Sequence, residues 1–288
     1  MAPTEKAHMK FFFDISSPYS NLAFNVIVRW VVALTSCAAL HNMLILLTSN
    51  PPLLSDIGRL GTWISSSFLF SSVGHKSHKP SPTLRATFSG GVMVFSGNQA
   101  PSADPNQRQM IEYVRTDGAR LSDRFGVDLR SPPGHPMQTT SLNKIRFLRA
   151  VKAEKSPEIL EECIRLIFLE FYSTQTDYRK EEFWDCLVPM LSREEVARLR
   201  KLSQTDEHKE GVKTDVAHVV TNYGMFGAPW MVVRRPSDGA EDVFFGTDKL
   251  DSIAWWLGPG YKWNGPYPDG SNPFSITMPP RQGQDARL

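Results

Sequence analysis

The sequence predicts an α/β fold in which a strand-and-helix unit is split by a block of helices. Three observations predict it. A short aromatic run, "MKFFFD" (9–14), leads directly into an apolar helical face. A block of roughly a hundred residues then carries helical periodicity alone. Near the end, "APWMVVRRPSDGAEDVFFG" (228–246) holds two β-prone runs followed by one more helical pattern.

Each element has its own signals. The first strand ends at Asp14, and Ser17-Pro18 then places a hydroxyl at a helix N-cap and proline at the first helical position, where its missing N–H is no loss. Leu22, Phe24, Val26, Ile27 and Trp30 continue that face. Order returns at Gly90-Gly91-Val92-Met93 and Ser96-Gly97-Asn98. Helical spacing follows in Met110, Ile111, Val114, Leu121 and Phe125, in Leu142, Ile145, Phe147, Leu148 and Val151, and in "ILEECIRLIFLEFY" (159–172). Ser192-Arg193-Glu194-Glu195 spells a capping box. Asp238-Gly239 marks a hairpin turn, and Asp248 is read as the N-cap of the last helix, with Leu250, Ile253, Trp256 and Leu257 on its apolar face.

Bulk properties remove several function classes. The chain has 288 residues, 41 % of them hydrophobic, enough for a large core. Its 32 basic and 30 acidic residues are interspersed and leave a net charge of +2, which argues against a nucleic-acid groove or a polybasic membrane arm. Cys37, Cys163 and Cys186 form no C-x-x-C pair, so neither a disulfide framework nor a zinc site is expected. "MAPTEKAHMK" lacks the apolar core of a secretory signal and carries an acidic residue, unlike a transit peptide.

Residues 31–86 stand apart. "VVALTSCAALHNMLILLTSN" has about the length of a membrane span, but His41 and Asn42 interrupt it and Thr and Ser are scattered through it, so a transmembrane helix is not expected. The Ser-rich run from Trp63 to Pro82 shows no sustained period, and His75 and His78 read as loop residues and not as metal ligands.

"FFFDISSPYSNLAF", "GGVMVFSGN", "NYGMFGAPWMVV" and "FFGTDKLDSIAWWLG", in this order around a helical block, resemble the kappa-class glutathione transferases. That family shares a DsbA-like thioredoxin fold with the 2-hydroxychromene-2-carboxylate isomerases. The resemblance implies a thioredoxin-like domain from 8–30, 83–98 and 215–265, an all-helical insertion at 99–214, an atypical insertion at 31–82 and a tail at 266–288. It implies Ser17 as the catalytic residue, where a redox member of the fold has cysteine. It further implies glutathione contacts from Pro18, Tyr19, Asn98, Ala228, a cis Pro229, Thr247 and Asp248. A thiol at a helix N-terminus is stabilised as thiolate by the helix dipole and a hydroxyl donor, so with serine at position 17 the sulfur has to come from glutathione. Two features depart from the family pattern. A basic residue often found after the Asn98 motif is unmatched, with Gln107 nearest and Arg108 beside it, and Asn21 stands where an aromatic residue is common.

The resemblance further implies a homodimer acting on glutathione and a small electrophile, without a metal. A glutathione-dependent isomerase is the alternative that shares the same site, and a non-catalytic protein, with its cleft misshapen by residues 31–86, is the third reading. Ala286-Arg287-Leu288 is a small-basic-Leu ending of the kind read by the peroxisomal import receptor, which makes the peroxisome the expected location, with the mitochondrion or cytoplasm as alternatives.

Overall fold

The computed structural model describes residues 7–32, 81–99, 108–129, 140–174 and 176–259, together with 261, 263 and 265. Strand β1 (His8–Phe13) leads into helix α1 (Pro18–Val32). Strand β2 (Ser81–Ala86) is followed by α2 (Ser89–Ser96) and α3 (Arg108–Phe125). Next come α4 (Leu142–Glu154) and α5 (Pro157–Leu169), the latter running into a π-helical turn at Glu170–Thr174. A 3-10 helix at Glu181–Leu187 precedes α6 (Arg193–Leu202) and α7 (Asp206–Tyr223). Strands β3 (Trp230–Arg234) and β4 (Glu241–Phe245), a 3-10 turn at Thr247–Lys249 and α8 (Leu250–Leu257) complete the order.

Among the described residues the strands form one sheet in the order β2-β1-β3-β4, with β1 parallel to β2 and antiparallel to β3. The period-2 alternation of β1 divides its aromatic residues between two cores. Phe11 and Phe13 enter the larger one, with Leu22, Phe24, Val26 and Ile27 of α1 and the inward faces of α4, α5, α6 and α8. Rings continue this packing from domain to insertion: Phe13 lies 5.8 Å from Phe168, and Phe24 lies 5.5 Å from the same ring. Burying each such phenyl group contributes about 2 kcal/mol, so helical insertion and sheet share one large source of stability. Phe12 points the other way, into a smaller core with Val92 of α2, Val216 and Val219 of α7, and Trp230 and Val232 of β3.

Two local readings are corrected by the coordinates. The sequence shows no strand before Gly90, yet Ser81–Ala86 is β2, paired in register from His8↔Ser81 to Phe13↔Ala86. It is an edge strand, where Pro82 removes no needed ladder donor, and its half-exposed residues lack the apolar alternation of an inner strand. Asp248 is not a helix N-cap. It sits inside the 3-10 turn that precedes α8, and its carboxylate pairs with Lys249. The stretch beginning at Gly90 is helical, and its glycines are steric: a Cβ at Gly90 would lie 2.8 Å from the Phe88 ring, and one at Gly91 3.2 Å from Val216. Absence of a side chain thus lets α2 pack closely on α7.

Helix α7 runs without a break across residue 215 and belongs to both cores through Val212 and Val216. Cys163 and Cys186 are free, and burial pushes their thiols up to about 11 and about 12, so neither is an activated nucleophile. Cys37, His75, His78 and Ala286-Arg287-Leu288 lie outside the described residues.

Candidate active site

The joint between β1 and α1 is built from local rules. Ser17 caps α1, its carbonyl accepting from Asn21 N at 3.1 Å and its Oγ accepting from Ser20 N at 3.2 Å. Pro18 occupies the first helical position. The Ser17 hydroxyl proton is directed outward from the helix, and Oγ donates to the carbonyl of Ala228 at 3.2 Å. Ala228 precedes Pro229 through a cis peptide bond at the entry to β3. The serine and the proline loop, 211 residues apart in sequence, therefore face each other across a hydrogen bond.

The other sequence-predicted residues gather around this pair. Thr247 is buried, and its Oγ1 donates to Tyr19 O at 2.8 Å, tying the turn before α8 to the first turn of α1. The Tyr19 hydroxyl donates to Asp117 Oδ2 of α3 at 3.0 Å. Desolvation, then the Asp117 hydrogen bond and charge, raise the Tyr19 phenol well above its ordinary range and keep it a donor. Asp248 is exposed and contributes to the same field around Tyr19. Asn98 follows the left-handed Gly97 at the end of α2, and its Nδ2 donates to Phe226 O at 2.9 Å, bracing the loop that carries Ala228. Gly246 N donates to Pro229 O at 3.1 Å and closes the loop from the β4 side.

Sequence reasoning missed the residue that organises the floor. Asp14 is fully buried, and its carboxylate accepts four hydrogen bonds. Oδ1 takes Ser16 N at 2.7 Å and Ser16 Oγ at 2.8 Å, while Oδ2 takes Ser89 N at 2.6 Å and Ser141 Oγ at 2.9 Å. The nearby ammonium of Lys144 faces the Tyr178 ring at 4.2 Å; desolvation pushes it down to about 8, opposed by the charge of Asp14. Asp117 and Phe226 were missed as well, since each acts on the site from another segment. Asn21 is buried and accepts from Asn25 Nδ2 at 2.8 Å. Gln107 lies outside the described residues.

What this arrangement offers chemically is a polarised hydroxyl at a positive helix end, beside an accessible peptide carbonyl, with no thiol of its own. Exposed Tyr113, Phe226 and Phe245 leave aromatic surface available, Phe226 packing on Trp230 at 5.0 Å and on Phe245 at 4.8 Å. Among the described residues no group of three His, Cys, Asp or Glu side chains is placed to hold a metal ion, and no helix is long and apolar enough to cross a membrane.

The fold and this site define a thioredoxin-type scaffold, and the DSBA-like thioredoxin domain family model matches residues 83–257; the chain belongs to that family. Within it, the chain is similar to proteins named glutathione S-transferase kappa 1. The Rattus norvegicus protein is 26 % identical over 94 % of this chain and 99 % of its own, and the Homo sapiens protein 28 % identical over 66 % and 82 %. Among solved structures, a 2-hydroxychromene-2-carboxylate isomerase superposes with a TM-score of 0.54 at 14 % identity, covering 87 % of this chain and 94 % of that one. A probable DsbA oxidoreductase from Streptomyces coelicolor gives the same TM-score at 12 % identity, covering 88 % and 90 %. Those two likenesses bear on the fold.

Proposed function

We propose that the protein is a glutathione transferase of kappa type, in which the Ser17 hydroxyl stabilises the glutathione thiolate for attack on a small electrophile. The names of its curated relatives support the class, and one observation carries the mechanism: Ser17 Oγ caps α1 while donating to Ala228 O. Glutathione takes over both ends of that bond. Its peptide N–H replaces Ser17 as the donor to Ala228 O, in the manner of an added strand. The freed hydroxyl rotates to donate to the sulfur, and the helix dipole favours the resulting negative charge. Tyr19, held by Asp117 and Thr247, keeps the first turn of α1 in place under the ligand. The thiolate then forms a carbon–sulfur bond to the electrophile as the leaving group departs with its electron pair. A homodimer and peroxisomal import through Ala286-Arg287-Leu288 belong to the same proposal, testable by light scattering and by deleting the tripeptide from a fluorescent fusion.

Thermal unfolding with increasing glutathione is the direct test. Ligand at about a hundred times its Kd adds about 2.7 kcal/mol to native-state stability and raises Tm by roughly 5–10 °C. Conjugation of an aryl halide must accompany the shift. No shift at millimolar glutathione, in protein with native circular dichroism, overturns the reading and favours a non-catalytic thioredoxin-fold protein.

A further inference from the structure

Where α4 and α7 meet at the β2 edge of the sheet, the described residues enclose a cavity of about 310 Å³. None of the residues of the Ser17 site lines it. Its wall carries an apolar surface from Ala86 and Tyr223 over buried Phe12, Leu148 and Val219, and four cations from three elements: Lys10 of β1, Arg85 of β2, and Arg149 and Lys152 of α4. Two of the four are neutralised within the fold. Lys10 Nζ pairs with Glu241 at 3.0 Å, and Arg149 Nη1 pairs with Asp215 Oδ2 of α7 at 2.8 Å. Arg85 and Lys152 have no ion pair among the described residues, which leaves two positive charges unmatched at one mouth.

Two further observations bear on the charge at this wall. Arg149 Nε is buried without a hydrogen-bond acceptor. Its guanidinium lies so close over α7 that a Cβ at Gly211 would come within 2.2 Å of that nitrogen, so glycine is what admits it there. Lys152 is the second: desolvation, followed by the charges of Arg85 and Arg149 and opposed by Asp215, pushes its ammonium down to about 8. Asp215, already paired with Arg149, is the one carboxylate among the lining residues, so an anionic ligand would add counter-charge for Arg85 and Lys152.

We infer that this cavity is a second ligand site, separate from Ser17, which takes a small organic dianion with an apolar body, such as an aryl phosphomonoester or an aromatic dicarboxylate. The charged end lies between Arg85 and Lys152, and the apolar body covers Ala86 and Tyr223. Arg85 of β2, Asp215 of α7 and Arg149 on its own helix act on Lys152 by their charges, and His218 of α7 and Lys10 of β1 line the same cavity. Binding requires its charged form, so affinity is full below pH about 8 and falls as pH rises through that value.

Calorimetric titration of the full chain with phenyl phosphate, dianionic at pH 7.5 because its second pKa is about 6, tests the inference. One site per chain is expected, unaffected by saturating glutathione and by Ser17→Ala, so that it stands or falls independently of the transferase reading. Arg85→Gln and Lys152→Gln each weaken binding about tenfold, the scale of one lost charge-assisted contact. Lys152→Arg preserves binding and carries it beyond pH 9, since guanidinium does not titrate there. Neither side chain makes an ion pair or hydrogen bond among the described residues, so these variants keep the fold. Equal affinity in the two glutamine variants, competition by glutathione, equal affinity for phenol, or no binding of phenyl phosphate and phthalate at millimolar concentration each overturns the proposal.

Discussion

Replacing Ser17 by alanine separates a helix cap from a catalytic hydroxyl. The structural part is readable from two bonds, the 3.2 Å acceptance from Ser20 N and the 3.2 Å donation to Ala228 O. Losing the cap costs about 1 kcal/mol and losing a partly exposed neutral hydrogen bond about as much again at most. Unfolding stability should therefore fall by about 1–2 kcal/mol, a Tm drop of roughly 2–8 °C. The chemical part is larger. A hydrogen bond to a charged acceptor contributes about 1.5–3 kcal/mol, and each 1.36 kcal/mol is one pKa unit, so the bound thiol should titrate about 1–2 units higher. At neutral pH the thiolate fraction, and with it kcat, falls about 10- to 100-fold, while glutathione affinity changes little. Thiolate absorbance and a pH–rate profile measure both. Ser17→Asp is the control: it keeps a cap acceptor, removes the donor and places a negative charge beside the sulfur, so activity is lost while stability is retained. A Ser17→Ala enzyme that loses stability but keeps the wild-type thiol pKa and turnover would show that Ser17 is a cap and nothing more.

Further outcomes follow from the surrounding contacts. Asp14→Ala strands the donors of Ser16, Ser89 and Ser141 in a buried position; with about 1–3 kcal/mol for each unsatisfied group, chemical denaturation should show a loss above about 3 kcal/mol. Asn98→Ala breaks the bond to Phe226 O and loosens the loop bearing Ala228, so glutathione affinity should fall about tenfold with a stability change below about 1 kcal/mol. Lys144 titrates at about 8 when folded against 10.5 ordinarily, so the native state binds fewer protons between these values and stability rises with pH across that window. Lys144→Met should reduce that slope in denaturation midpoints measured from pH 7 to 11; an unchanged slope would mean that Lys152, with a folded value also about 8, carries it alone.

What could be seen in the sequence was what depends on neighbours in the chain. Ser17-Pro18, Ser192 with Glu195, and Asp238-Gly239 act within a few residues, and each forms the cap or turn its spelling implies. The family motifs brought Asn98, Ala228 and Thr247 into view because they are runs of residues, although the contacts joining them span more than a hundred positions. Strand β2 was hidden because an edge needs neither apolar alternation nor a full set of donors, so Ser-Pro-Thr-Leu-Arg-Ala carries little strand character. Asp248 misled because an acidic residue before an apolar helix looks like a cap, whereas Gly246, with φ of 100°, starts a tight turn first. The cation-lined cavity has no linear signature at all: Arg85 and Lys152 meet only after β2 has paired with β1 and α4 has docked.

The buried Asp14 carboxylate has a consequence for how the molecule breathes. Its two oxygens are answered by the β1–α1 joint, by the start of α2 and by Ser141 at the start of α4, so three segments distant in sequence close over one anion. Detaching α4 would strip the Ser141 hydroxyl from that anion and expose it, which makes local opening there costly. Sheet, α4 and the β1–α1 joint should thus behave as one cooperative folding unit, and the amide of Ser89 should exchange its hydrogen only when the whole unit unfolds.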